Sequence, residues 1–342
     1  MIVRARAPLR LGLAGGGSDV DPYCSLYGGY VLNATIDKYA YAVISPATNN
    51  RVRFMAADLE ISFESDSEES ITLAGPLKLH QAVYNEIVGN YCNHKPLSIQ
   101  VTTFCDAPMG SGLGSSSTVV VAMIKAYVEL LNLPLDDYAI ARLAFKVERM
   151  DCGFQGGRQD QYSATFGGVN FIEFNPGDHV VVNSLRIKNW ILCELEASLL
   201  LFYTGVSRES AKIIADQSSN MSSGDDGMLE AFQSIKAEAV NMKECLLKGD
   251  FSGIVDSMRK GWESKKKSAV AVSTPKIEKI YNSAISAGAL AGKVSGAGGG
   301  GYMMLFVPPN LRMNVIRALG NFDGIVSSVH LTGNGAQAWR IK

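Results

Sequence analysis

Three glycine-rich clusters hold the residues of this sequence best suited to phosphate or sugar chemistry. They are Gly12 to Gly17 in PLRLGLAGGGSD, Gly110 to Gly114 in PMGSGLGSSS, and Gly296 to Gly301 in KVSGAGGGG. Glycine tolerates positive φ and puts no Cβ between backbone amides and a ligand, so clustered glycines suit close contact with oxyanions. The second cluster opens directly onto a helical pattern, which aims free N–H groups and the positive helix end at one point. Ser115, Ser116 and Ser117 add hydroxyls there. One of them is expected to N-cap the helix, and the surplus hydroxyls point to phosphate or magnesium.

Two other glycine patterns lead nowhere. Gly296 to Gly301 satisfies G-x-G-x-x-G, but it precedes a strand, whereas a dinucleotide loop follows a strand and opens a helix. The run from Gly288 to Val294 is one residue short of a Walker A loop and carries Val294 where Ser or Thr must hold magnesium.

The elements that position these clusters follow from hydrophobic patterning. Strands are expected at Val3 to Leu13, Gly29 to Ser45 and Leu97 to Phe104, and helices at Ser116 to Leu131 and Asp136 to Arg149. Gly153 to Gly168 reads as an irregular polar loop. The pattern changes near Pro176, which suggests domains at residues 1–176 and 177–342. In the second half, strands are expected at Val180 to Leu185, Glu196 to Tyr203 and Tyr302 to Val307. A mobile polar loop at Ser218 to Gly227 precedes a long helix with Leu229, Phe232, Ala239, Met242 and Leu246 on one face. A helix at Thr274 to Ala287, capped by Thr274 with Pro275 at its first position, one near Asn310 to Leu319, and a pair of short closing strands complete an α+β pattern.

Composition narrows the partners. The 342 residues carry 32 basic and 33 acidic side chains, so there is no global attraction to nucleic acid or an anionic membrane. No apolar run approaches the roughly 20 residues of a membrane span, and the N-terminus is too glycine-rich for a secretory signal, so a cytoplasmic protein is expected. Six scattered cysteines form no disulfide framework, and four distant histidines offer no zinc pair.

In order and spacing, PLRLGLAGGGSD, PMGSGLGSSS and KVSGAGGGG resemble the three signature motifs of the galactose, homoserine, mevalonate and phosphomevalonate (GHMP) kinase superfamily. The segments AGGGSD, GGRQDQYSATFGG and LLLFYTGVSRESA resemble most its heptose 7-phosphate kinase branch. The resemblance implies a two-domain α+β fold: an N-terminal domain like domain 2 of ribosomal protein S5 and a ferredoxin-like C-terminal domain. ATP and magnesium would lie in the cleft between them. Transfer of the γ-phosphoryl group to the anomeric hydroxyl of D-glycero-D-manno-heptose 7-phosphate would give a 1,7-bisphosphate, an intermediate toward nucleotide-activated heptose. The alternatives are a kinase for another sugar, fucose-like or an unphosphorylated heptose, and a silent member of the fold that senses nucleotide and sugar. The protein is expected to act as a monomer or homodimer.

The same resemblance assigns residues. Pro108, Gly110, Ser111, Gly112, Leu113, Gly114, Ser115, Ser116 and Ser117 would hold ATP, with Ser116 and Glu148 as magnesium ligands. Asp160 would take the acceptor proton, and Arg10 beside it would offset charge on the transferring phosphoryl group. Gly16, Gly17, Ser18 and Asp19 would meet the sugar, with Gly16 and Gly17 replacing the Glu-His of the galactose branch. The N–H groups of Gly296, Gly298 and Gly299 would face the transferred or acceptor phosphate, flanked by Lys293. The acceptor's own phosphate needs a cation, for which Arg158, Arg208 and Lys265 are candidates.

Overall fold

Burial alternates over the start of the first strand, β1 (Ile2–Ala14), with the two-residue period of a pleated chain, and is continuous from Ala7 onward. Val3, Ala5 and Ala7 enter one core, and Leu9, Leu11 and Leu13 a second. Arg10, between Leu9 and Leu11, therefore projects to the other face, next to a register shift between Pro8 and Arg10. The computed structural model describes residues 1–205, 210–222 and 226–341.

After β1 come α1 (Tyr23–Tyr27), β2 (Gly29–Pro46), β3 (Arg51–Ala56), β4 (Ile61–Asp66), α2 (Lys78–Tyr91) and β5 (Ile99–Cys105). Next are α3 (Ser115–Leu131), α4 (Asp137–Phe145), α5 (Gln159–Phe166), β6 (Val169–Asn175), β7 (His179–Ser184) and α6 (Asn189–Ser198). The second half adds β8 (Leu199–Tyr203), α7 (Ser210–Ser222), α8 (Asp226–Lys248), α9 (Phe251–Ser268) and α10 (Pro275–Ser286). It closes with β9 (Ala291–Val294), β10 (Tyr302–Phe306), α11 (Arg312–Leu319), β11 (Ile325–Ser328) and β12 (Gln337–Ile341).

The first sheet runs β12-β1-β2-β5-β3-β4, with β6 and β7 continuing from β2. Side chains of α2, α3 and α4 pack into its core. The second sheet runs β11-β8-β10-β9, all antiparallel. Numbered along the chain, that spatial order is fourth, first, third, second, the ferredoxin-like arrangement expected of the C-terminal half. Strands β8 and β10 are apolar on both faces because each face is covered. Met304 and Phe306 of β10 join Leu9 and Leu11 of β1 in one core, while Met303 and Leu305 pack with α10 and α11 in another. The two halves thus share a core. Among the described residues no helix is long and apolar enough to cross a membrane.

Several expectations need correction. The stretch at Gly153 to Gly168 holds a helix, α5, whose Gln159, Gln161, Ser163 and Thr165 are buried; its polar side chains hide inside hydrogen bonds, so no apolar stripe announces it. Glu196 to Ser198 end α6, leaving only Leu199–Tyr203 as strand. The helix from Asp136 is α only to Phe145 and widens to π over Lys146–Asp151. Ser218 to Ser222 end α7 and Asp226 begins α8, while residues 223–225 lie outside the described residues. The two closing strands do not pair: β11 joins the second sheet and β12 the first. Strands β7 and β12 follow residue 176 in sequence yet pair into the first sheet, so the sheets do not divide the chain at one cut.

Candidate active site

The N-terminus of α3 is where the serine-rich loop meets the core. Val120 to Ile124, Ala126 and Tyr127 are all buried, which locks this helix under the first sheet. Its N-cap is Gly114, at φ 78° with no side-chain cap, rather than one of the three serines. The Ser115 hydroxyl instead donates to the Pro108 carbonyl at 3.2 Å, and Thr118 back to Gly114 at 2.8 Å. The first-turn amides are left without a side-chain acceptor. Glycine at 114 also leaves room for Asp160, because a Cβ there would lie 3.1 Å from the Asp160 Cγ.

Asp160 sits in the first turn of α5 and is held by Arg10. The Arg10 Nε donates to Asp160 Oδ1 at 2.7 Å and Nη2 lies 2.6 Å from the same oxygen. Nη1 donates to the Gly112 carbonyl at 2.6 Å, so one buried guanidinium ties the carboxylate to the glycine loop. Such a pair fixes a proton acceptor while leaving Asp160 Oδ2 to the cleft. Glu148, brought round by the π turns, is wholly buried and accepts from Ser116 Oγ at 2.5 Å. Gln161 donates to its other oxygen at 2.5 Å and to Ser117 Oγ at 3.1 Å, which anchors the carboxylate from behind.

These groups line one cleft of about 790 Å³ between the two halves. Gly110, Gly112, Gly114 and Ser115 to Ser117 line it together with Gly17, Asp19, Arg10, Asp160, Lys265 and Gly296. Pro108, Ser111 and Leu113 are supports: Pro108 closes the loop, Ser111 accepts from the Tyr302 N–H at 2.8 Å, and Leu113 fills the shared core.

Other expected site residues make contacts within the protein. Asp19 accepts from the backbone N–H groups of Gly17, Arg158 and Gln159 at 3.0 to 3.1 Å and from the Gln159 side-chain amide at 3.1 Å. Its acceptor capacity is filled by the protein, and it serves as the anion at the N-terminus of α5. Ser18 is buried, donating to the carbonyls of Gly15 and Tyr30. Gly16 lines a smaller adjoining cavity with Lys265 and Lys293. Arg158 pairs with Asp178 and, at 3.0 Å, with Asp21, and is not among the cleft's lining residues. Gly298 packs on Val272, and the Gly299 N–H donates to the Val272 carbonyl at 2.8 Å, so of the third loop only Gly296 and Ala297 reach the cleft. Arg208 lies outside the described residues.

Two lysines lie deeper than sequence suggested. Lys293 donates to the carbonyls of Gly12 and Leu13 at 2.9 and 3.2 Å; burial, with Lys265 and Arg10 nearby, pushes its ammonium well below the usual lysine range. Lys265 is 5% exposed and lines the cleft, and burial lowers it to about 8 despite the opposing pull of Asp19. The signal for its burial was present in the sequence: Ile254, Met258, Trp262 and Lys265 recur on one helical face, three of them apolar. Arg149 was also missed; it lines the cleft, donating to the Gly157 carbonyl at 3.2 Å with Nη1 3.8 Å from Glu148.

The glycine loop and an arginine-held carboxylate meet in one cleft between the two halves, an arrangement suited to phosphoryl transfer to a small molecule. The description of the GHMP kinase N-terminal domain matches residues 79–168 and that of the GHMP kinase C-terminal domain residues 242–324. The chain belongs to the GHMP kinase family, which implies ATP as phosphate donor. It is 46% identical to the D-glycero-alpha-D-manno-heptose 7-phosphate kinase of Campylobacter jejuni, over 99% of both chains. A solved D-glycero-D-manno-heptose 1-phosphate kinase from Bacteroides thetaiotaomicron is 42% identical, with a TM-score of 0.84 over 99% of both chains. The Lactococcus lactis galactokinase complexed with galactose shares the fold at 16% identity, with a TM-score of 0.77 over 98% of this chain and 95% of its own.

Proposed function

We propose that this protein is an ATP-dependent kinase that phosphorylates the anomeric hydroxyl of a heptose 7-phosphate. The observation that carries the reading is the opening of the Arg10–Asp160 pair and the Ser116–Glu148 pair onto one cleft, in a chain 46% identical to a protein named for that substrate. Asp160 accepts the proton of the attacking hydroxyl as the phosphoryl group arrives. Arg10 orients that carboxylate and adds positive charge where negative charge develops. The uncapped amides at the start of α3 receive phosphate oxygens.

Ser116 and Glu148 would hold magnesium. Both offer hard oxygen atoms, and the Glu148 carboxylate is buried with Gln161 fixing it. Among the described residues no cluster of three His, Cys, Asp or Glu side chains could hold a metal by itself, which fits a site completed by phosphate and water. The ion would neutralise phosphate charge.

ATP consumption with magnesium across heptose 7-phosphate, unphosphorylated heptose, fucose, galactose and mevalonate tests the reading. Turnover is expected with heptose 7-phosphate far above the rest. Turnover confined to another sugar would replace the substrate, and tight ATP binding with no turnover would favour a nucleotide sensor.

A further inference from the structure

We propose that Lys265 binds the acceptor's own phosphate, and that glycine at position 16 keeps the space beside its ammonium clear. This rests on the reading that the acceptor is a sugar phosphate. Lys265 reaches the cleft from α9, in the second half, with its stem in the apolar stripe of Ile254, Met258 and Trp262. Among the described residues its Nζ makes one hydrogen bond, to the Gly296 carbonyl at 2.5 Å, and has no carboxylate within 4 Å. Two of its three N–H donors are therefore unused in a buried setting.

The neighbouring carboxylates, Asp19 and Asp160, act on it through space and make no ion-pair contact with it. Asp19 is filled by the N–H groups at the start of α5, and Asp160 is held by Arg10. A buried ammonium with no contact partner is costly unless an anion completes it, and phosphate oxygens match its open donors. Arg158, the other described candidate, is already paired with Asp21 and Asp178.

Gly16 stands beside the lysine, lining a small cavity that adjoins the cleft. Its φ is not positive, so its backbone would accept an L side chain. A Cβ there would stand 3.8 Å from the Lys265 Nζ and 3.4 Å from the Gln159 Nε2, and a longer side chain would cover the ammonium. Glycine at this position is a matter of space above the lysine.

The experiment compares kcat/KM for heptose 7-phosphate and for unphosphorylated heptose in the wild type, Lys265→Met, Lys265→Arg and Gly16→Glu. Lys265→Met should lower the ratio of the two about 100-fold, through KM for the phosphorylated acceptor, as loss of one partner of a buried charge pair does. Lys265→Arg should restore most of the ratio. Gly16→Glu, which covers the ammonium with a carboxylate, should lower the ratio comparably, and adding Lys265→Met to it should lower it little further. If Lys265→Met does not fold, Gly16→Glu gives the same readout. Equal losses on both acceptors in Lys265→Met would reduce Lys265 to a brace for the third loop and overturn the inference. So would a wild-type preference for heptose 7-phosphate that survives both substitutions, with the proposed function left standing. A wild type with no preference for the phosphorylated sugar would overturn the proposed function and this inference with it.

Discussion

The two sides of the cleft are built by different means. The wall from Gly110 to Ser117 is made of backbone: a glycine loop, a helix start without a side-chain cap, and two serine hydroxyls braced by Glu148 and Gln161, all within the first half. Beside it the cleft is lined by charged side chains, Arg10, Asp19, Asp160 and Lys265, gathered from both halves. Backbone amides and hydroxyls bind phosphate of any bearer, while buried charges at fixed places discriminate between acceptors. The donor side is thus suited to a general ligand and the acceptor side to a particular one.

That contrast breaks most sharply at Asp160. Asp160→Asn should lower kcat by about 10² to 10⁴ while leaving ATP affinity in place, as removal of a general base does. Steady-state turnover with ATP titration measures it, and unchanged turnover would take Asp160 out of the mechanism. On the donor side, Gln161→Leu removes the donor that fixes Glu148. The magnesium concentration for half-maximal rate should rise about 10- to 100-fold, with KM for the acceptor little moved.

The acceptor side should also respond to pH. Lys265 lies at about 8, with Asp19, Asp160, Arg10 and Lys293 as the charged groups around it. KM for the phosphorylated acceptor should rise about tenfold per pH unit above that value, and Lys265→Arg should push this limb to higher pH. The effect on stability has the opposite sign. Between about 8 and the ordinary lysine value of 10.5, the unfolded chain binds more protons at this group, so its contribution to stability rises with pH across that window. Denaturant titrations of the wild type and Lys265→Met should differ in slope there.

The smallest expected effect lies away from both walls. Asp136 caps α4, accepting from the Ala139 N–H at 2.7 Å. Asp136→Ala should cost about 1 kcal/mol in chemical denaturation. A large change in kcat would show α4 and the π turns after it to be coupled to Glu148.

The same contrast governs what the sequence revealed. The donor wall was legible because glycines and serines at fixed spacing leave a local mark, and α3 because its burial is continuous. The cap at Thr274 was legible for the same reason. The acceptor side depends on contacts between distant residues. Asp19 caps a helix about 140 positions away, so its geometry left no local signature and it read as a sugar ligand. The α5 helix was hidden because its polar residues are buried by hydrogen bonding rather than by hydrophobicity. Lys265, first of three consecutive lysines, stood in the sequence only as one of three candidate cations, although its register already placed it on the buried face.

The most direct test of the account is where the phosphoryl group lands. Phosphorus NMR of the product from wild-type protein, ATP, magnesium and heptose 7-phosphate should show a second phosphate resonance coupled to the anomeric proton, beside the retained 7-phosphate. A new phosphate on any other carbon, or the absence of a bisphosphate, would contradict it.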